Sequence, residues 1–120
     1  MALKIGELAP DFELPSTNGS IFKLRENMKE KALIIYFYPK DFTKVCTQEA
    51  CEFRDHFAEL KDLDIPVIGI SRDSIKTHQE FKRINNLPFE LLSDKDGKVC
   101  GRYKALIFTF VWIIRRDLGI

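Results

Sequence analysis

Cysteine is scarce: there are three in 120 residues, an odd number and too few to staple a small secreted domain. An excess of one charge is missing as well. Nineteen Lys and Arg stand against eighteen Asp and Glu, a formal charge of +1 with the signs interleaved, so neither nucleic acid nor an anionic membrane is an expected partner. No hydrophobic run is long. Ala105 to Ile114, the longest, covers about half of the ~20 residues a membrane helix needs and reads instead as a buried strand. Lys4, Glu7 and Asp11 interrupt the start, so no secretory signal is expected and the reducing cytosol is the default compartment. Repeats and low-complexity tracts are absent too. The length excludes a two-domain enzyme, and residues 1–120 are expected to fold as one domain.

Apolar residues are plentiful: 45% of the chain is hydrophobic, with ten phenylalanines, enough for a real core. Ala9 to Leu14 alternates apolar with polar, and the alternation resumes over Ile21 to Leu24 after a Pro-Ser-Thr-Asn-Gly-Ser stretch. This predicts an N-terminal β-hairpin. Ala32 to Tyr38 is apolar throughout and stops at Pro39, the pattern of a central strand covered on both faces. From Val45 to Leu63 the period becomes helical, with Cys46, Ala50, Phe53, Phe57 and Leu60 on one stripe. Strands over 66–70, 89–92 and 106–114 alternate with helices over 75–86 and 98–105. The fold class is therefore α/β, a central sheet flanked by helices.

The stretch between the central strand and the first long helix, Pro39 to Cys46, lies at the sheet edge where α/β folds place their sites. A thiol in a first helical turn meets unpaired N–H groups and the positive end of the helix dipole, and Lys44 and Arg54 are near in sequence. Each favours thiolate, the reactive form. Cys46 also continues the apolar stripe, and a small core residue is the other reading of the same position. Cys51 follows five residues on. On an ideal helix that spacing separates the two Cα atoms by roughly 8.6 Å, beyond the ~6.8 Å a disulfide tolerates. A Cys46–Cys51 bridge would therefore require the first turns to unwind.

Phe37 to Asp55 (FYPKDFTKVCTQEACEFRD) resembles the active-site segment of the peroxiredoxins, specifically the bacterioferritin comigratory protein (PrxQ) branch. The family's Pro-x-x-x-Thr-x-x-Cys pattern falls on Pro39, Thr43 and Cys46, and the branch's second cysteine on Cys51. Gly6 to Phe12, Val67 to Ser71 and Leu92 to Asp94 extend the likeness over about residues 4 to 104. The resemblance implies a thioredoxin-like fold with a mixed central sheet and the reduction of hydrogen peroxide and organic hydroperoxides. It makes Cys46 the peroxidatic nucleophile and Cys51 the resolving thiol that closes an intramolecular disulfide. Thr43 becomes the hydroxyl that bonds thiolate and peroxide, and Pro39 the wall that excludes water. The reductant it implies is thioredoxin or a similar dithiol, with no metal or organic cofactor and a monomer or weak homodimer.

Two departures stand out. Lys44-Val45 replaces the common Pro-Gly, and Thr109 falls where the family carries an arginine that polarises the thiolate. Arg102, Arg115 and Arg116 are the candidate substitutes, and the family's last strand and helix are expected to be missing. A thiol–disulfide oxidoreductase and a redox sensor or inactive relic are the alternative functions. His56 and His78 would need both cysteines to hold zinc, and the spacing lacks the paired Cys-x-x-Cys of such sites. Cys100 is expected to be a spectator, Ser93 to Gly97 a turn, and the alternation of Phe108, Phe110 and Trp112 a core face.

Overall fold

The computed structural model describes residues 7–28, 32–103, 110–115 and 119. A central strand, β3 (Ala32–Phe37), is buried at every position, as a run apolar on both faces requires. It pairs in parallel with β4 (Val67–Ser71) and antiparallel with β6 (Phe110–Arg115), while β4 pairs in parallel with β5 (Leu91–Ser93). The order β5-β4-β3-β6 makes a mixed four-stranded sheet. A separate two-stranded hairpin, β1 (Glu13–Pro15) and β2 (Ile21–Lys23), precedes it with Leu14 opposite Phe22. Here the expected alternation stops early: Leu24 is fully buried at the start of a short helix, α1 (Leu24–Asn27), and does not extend the strand.

Period-two alternation along β3 divides the core in two. Leu33, Ile35 and Phe37 face one cluster with Phe12, Leu24, Tyr103 and the short helix α5 (Lys98–Arg102). Ile34, Tyr36 and then Tyr38 face the other, beneath α2 (Lys44–Asp55), α3 (Phe57–Asp62) and α4 (Ile75–Asn85). The single helix expected over 45–63 is thus two. The apolar stripe runs through both, but the backbone turns at His56, whose φ of −102° and ψ of 9° depart from helical values. Of the strand expected over 106–114, residues 106–109 lie outside the described ones, as does the end of the helix expected over 98–105. The connections β3–β4 and β4–β5 both carry their helices over the same face, so the C-terminal edges of three parallel strands are left together for a site.

Gly69 leaves no room for a side chain in this packing. A Cβ there would lie 2.8 Å from both Leu91 Cδ2 and Tyr36 Cζ, because the Tyr36 ring lies across the adjacent strand. That ring stacks on Phe53 at 4.8 Å and on Tyr38 at 5.3 Å, so it has nowhere to retreat. Gly69→Ala is expected to cost about 1–3 kcal/mol. The urea midpoint should fall accordingly, and an unchanged midpoint would contradict this packing.

Candidate active site

The loop 38–43 leaves β3 at its C-terminal end and enters α2, whose N-cap is Thr43. Cys46 is the third helical residue and so stands in the first turn, as its position in sequence implies. It is buried, with 5% of its surface accessible, in the cluster formed by Tyr36, Tyr38, Ala50 and Phe81. Cys51 lies two-thirds of the way along the same unbroken helix, half-buried, with its Sγ 3.8 Å from Asn85 Oδ1. Both thiols are free. The two cysteines thus belong to one helix, and that helix must open before they can join.

The start of α2 is weakly held. Thr43 makes no side-chain cap, and no acidic residue occupies the first turn, where Lys44 opposes the positive end of the dipole. The Thr43 hydroxyl donates to the Lys40 carbonyl at 3.1 Å, so its lone pairs remain for a ligand. Pro39 and Thr43 are both exposed. Arg54 gives its guanidinium to Asp55 and to the Asn85 carbonyl at 2.8 Å, and its electrostatic neighbour among the cysteines is Cys51. Two of the arginines considered as polarisers are placed elsewhere. Arg102 binds the Asp11 carbonyl from α5, beyond the opposite face of the sheet. Arg115 pairs with Ala32, five steps along β3 from Phe37 and about 17 Å from the site edge at ~3.4 Å per residue. Phe108, Thr109 and Arg116 lie outside the described residues, while Phe110 and Trp112 occupy β6 opposite Phe37 and Ile35.

Several groups around the site have no role in the sequence reading, which names His78 only as a possible zinc ligand. Tyr36 Oη and Glu49 Oε1 are buried without a hydrogen-bond partner among the described residues. Burial, followed by the Glu49 and Asp41 carboxyls, pushes the Tyr36 hydroxyl well above its ordinary range, so it stays neutral. Desolvation and then Glu52 raise Glu49. Tyr38, Asp41, Asp73 and His78 form a connected set at the strand ends. His78 is fully buried there and joins Asp41, not the cysteines; His56 is exposed beside Glu59. Asp41, Asp73 and His78 are the one group among the described residues whose potential ligand atoms cluster within 4.8 Å; Asp41 Oδ2 is taken up by His78 Nδ1, and Asp73 Oδ2 accepts from the Asp41 backbone N–H and the Ser71 hydroxyl. Cys100 is buried, and burial together with the Asp94 carboxylate pushes its thiol far above the usual range, which suppresses nucleophilicity. No described helix is long and apolar enough to cross a membrane.

Known proteins share this sequence pattern and fold. The AhpC/TSA family model matches residues 5–117. Peroxiredoxin Bcp of Bacillus subtilis is 41% identical over 119 residues, 99% of this chain and 71% of that protein. The crystal structure of Peroxidoxin BcpB from Mycobacterium tuberculosis superposes with a TM-score of 0.90 at 28% identity, covering 98% of this chain and 82% of the other. A Xanthomonas campestris bacterioferritin comigratory protein, studied for its alkyl peroxide reduction, superposes at 0.81 with 26% identity over 90% of this chain and 76% of its own. Family model, sequence and fold thus agree with the motif on the β3–α2 loop, and the chain belongs to the AhpC/TSA family, in the bacterioferritin comigratory protein (PrxQ) branch of the peroxiredoxins, which are thiol-dependent peroxidases.

Proposed function

We propose that Cys46 is the peroxidatic nucleophile and that Cys51 resolves its oxidised form within the same chain. The observation that carries this reading is the placement of Cys46: first turn of α2, just after the C-terminal end of the central strand, with 5% of its surface accessible and the exposed Pro39 and Thr43 just ahead of it in the chain. The thiolate attacks one peroxide oxygen, the O–O bond breaks, and Cys46 becomes a sulfenic acid while the departing oxygen takes a proton as water or alcohol. The Cys51 thiol then attacks that sulfenic sulfur, closing the disulfide and releasing water. A dithiol such as thioredoxin reduces the bridge by exchange and is itself oxidised.

Thr43 offers its oxygen to the incoming peroxide, and the Pro39 ring screens the thiol from water. The Lys44 ammonium and the free N–H groups of the first turn supply positive field at the sulfur. Hydrogen peroxide and small organic hydroperoxides are the substrates of this reading, and the alkyl peroxide reduction activity of the Xanthomonas relative supports the second class. No metal or organic cofactor enters these steps, because sulfur undergoes the redox change. One chain suffices for the cycle, in keeping with a monomer or weak homodimer, and its need for continual re-reduction suits the cytosol. The gap of four residues between the cysteines disfavours a thiol–disulfide oxidoreductase, whose sulfurs must meet without melting a helix.

The test follows peroxide loss with thioredoxin or dithiothreitol as donor. Multiple turnovers per chain are expected; oxidation that stops after one equivalent would leave only the sensor reading.

A further inference from the structure

The loop that carries Pro39 and Thr43 is fastened to α4 and to the end of β4 through Asp41. Asp41 Oδ1 accepts the Tyr38 hydroxyl at 2.5 Å, Asp41 Oδ2 lies 2.6 Å from His78 Nδ1, and the Asp41 N–H donates to Asp73 Oδ2 at 2.8 Å. Asp73 Oδ2 is held in turn by the Ser71 hydroxyl at 2.6 Å. Both side chains of the Asp41–His78 pair are wholly shielded from solvent. His78 Nε2 faces the Leu92 carbonyl at 2.9 Å, and a carbonyl can only accept, so Nε2 carries a proton. The Nδ1–Oδ2 contact needs a second proton. One proton therefore lies between ring and carboxyl in addition to Nε2–H, and His78 bridges the peroxidatic loop to β5 through the body of α4.

On the other side of Asp41 the chain has little to hold it. Phe42 adopts a φ of +65°, unfavourable for a residue with a side chain, with its ring edge-on to Phe81 at 5.1 Å. The uncapped first turn of α2 follows directly. A firm anchor next to a strained residue and a weak helix start is the layout of a hinge: the chain up to Asp41 stays in place while the turns beyond it unwind.

We propose that His78 is a positioning residue for peroxide reduction. Acting through Asp41, it holds Pro39 and Thr43 over Cys46 in the reduced enzyme and confines unwinding to the segment after Phe42. The proposal rests on the peroxidatic reading of Cys46. Tyr38, Asp41 and Asp73 are the titratable groups on the neighbouring elements that complete the latch. Removing the Nδ1–Asp41 bond frees the loop, which lowers the population aligned for attack on peroxide and raises the population open for disulfide closure.

Asparagine and glutamine divide the two bonds of His78 between them. In His78→Asn the side-chain amide nitrogen occupies the place of the ring Nδ1 and keeps Asp41; in His78→Gln the longer side chain carries its amide nitrogen to the place of the ring Nε2 and keeps Leu92. The rate of thiol oxidation by hydrogen peroxide, followed by stopped-flow fluorescence, is expected to fall by about tenfold to a hundredfold in His78→Gln, as loss of alignment does, and to stay within about twofold in His78→Asn. Disulfide closure should speed up in His78→Gln alone. In the reduced protein, amide exchange over 39–43 should rise by about tenfold in His78→Gln and not in His78→Asn. Equal losses in both variants, or none in either, would overturn the latch. Tyr38→Phe removes the other bond to Asp41 at nearly constant volume and serves should a histidine variant fail to fold; its peroxide rate and exchange should shift in the direction of His78→Gln, and unchanged values would count against the proposal. A wild-type chain inert to peroxide refutes the reading of Cys46, while the exchange comparison still decides the latch.

Discussion

Replacing Cys46 with serine is expected to reduce peroxide consumption by at least ~10³-fold, to the level of the donor thiol alone. A serine hydroxyl remains protonated at neutral pH, so the geometry of the α2 first turn, which can assist a thiolate, has no anion to assist. Cys100 offers no substitute: it is buried, and the Asp94 carboxylate beside it opposes ionisation. Cys51→Ser should behave differently. Its first oxidation should run at the wild-type rate, because Cys51 stands five residues farther along α2 and takes no part in that step, but the sulfenic acid has no internal partner and should advance to sulfinic acid as peroxide rises. Stopped-flow oxidation and steady-state assays on the two variants separate these roles. A Cys46→Ser protein that still turned over peroxide would move the chemistry to another residue.

The second large effect is conformational. Reduced α2 runs unbroken from Lys44 to Asp55 with both cysteines on it, and an intact helix keeps their Cα atoms roughly 8.6 Å apart, too far to bridge. Oxidation must therefore unwind the helix over a turn or more. The absent side-chain cap, the Lys44 charge and the strained Phe42 make the N-terminal end the side that yields. Ala50 and Phe53, packed in the core, oppose melting farther along. Amide exchange from Thr43 to Glu52 is expected to quicken by at least ~10-fold in the oxidised protein, with β3 and β4 unchanged. Equal protection in both states would contradict a disulfide formed by local unfolding.

Much of this was legible in the sequence because it is written in local pattern. The seven apolar residues before Pro39 mark β3 as central, since only a strand covered on both faces can bury them all. The Pro39, Thr43 and Cys46 spacing reads directly because the loop and first turn are contiguous. The turn at His56 was hidden: the apolar stripe continues across it, so side-chain period carries no sign of a backbone adjustment. The latch was hidden for a different reason. Asp41 and His78 are separated by 37 positions, and nothing local marks a histidine on a buried helix face as the partner of a loop aspartate. The sign available was a fully polar residue on the same face of α4 as Phe81. The arginine question likewise needed sheet register, because only the antiparallel pairing of β6 puts Arg115 at the far end from Cys46.

Peptide mapping after a single equivalent of hydrogen peroxide tests the central claim most directly. Trypsin releases Val45 to Arg54 as one peptide containing both Cys46 and Cys51 and no internal lysine or arginine. That peptide is expected to lose the mass of two hydrogens as its thiols join, with Cys100 still free to alkylate. Oxygen added at Cys100, or a Val45 to Arg54 peptide that keeps both thiols, would contradict the account.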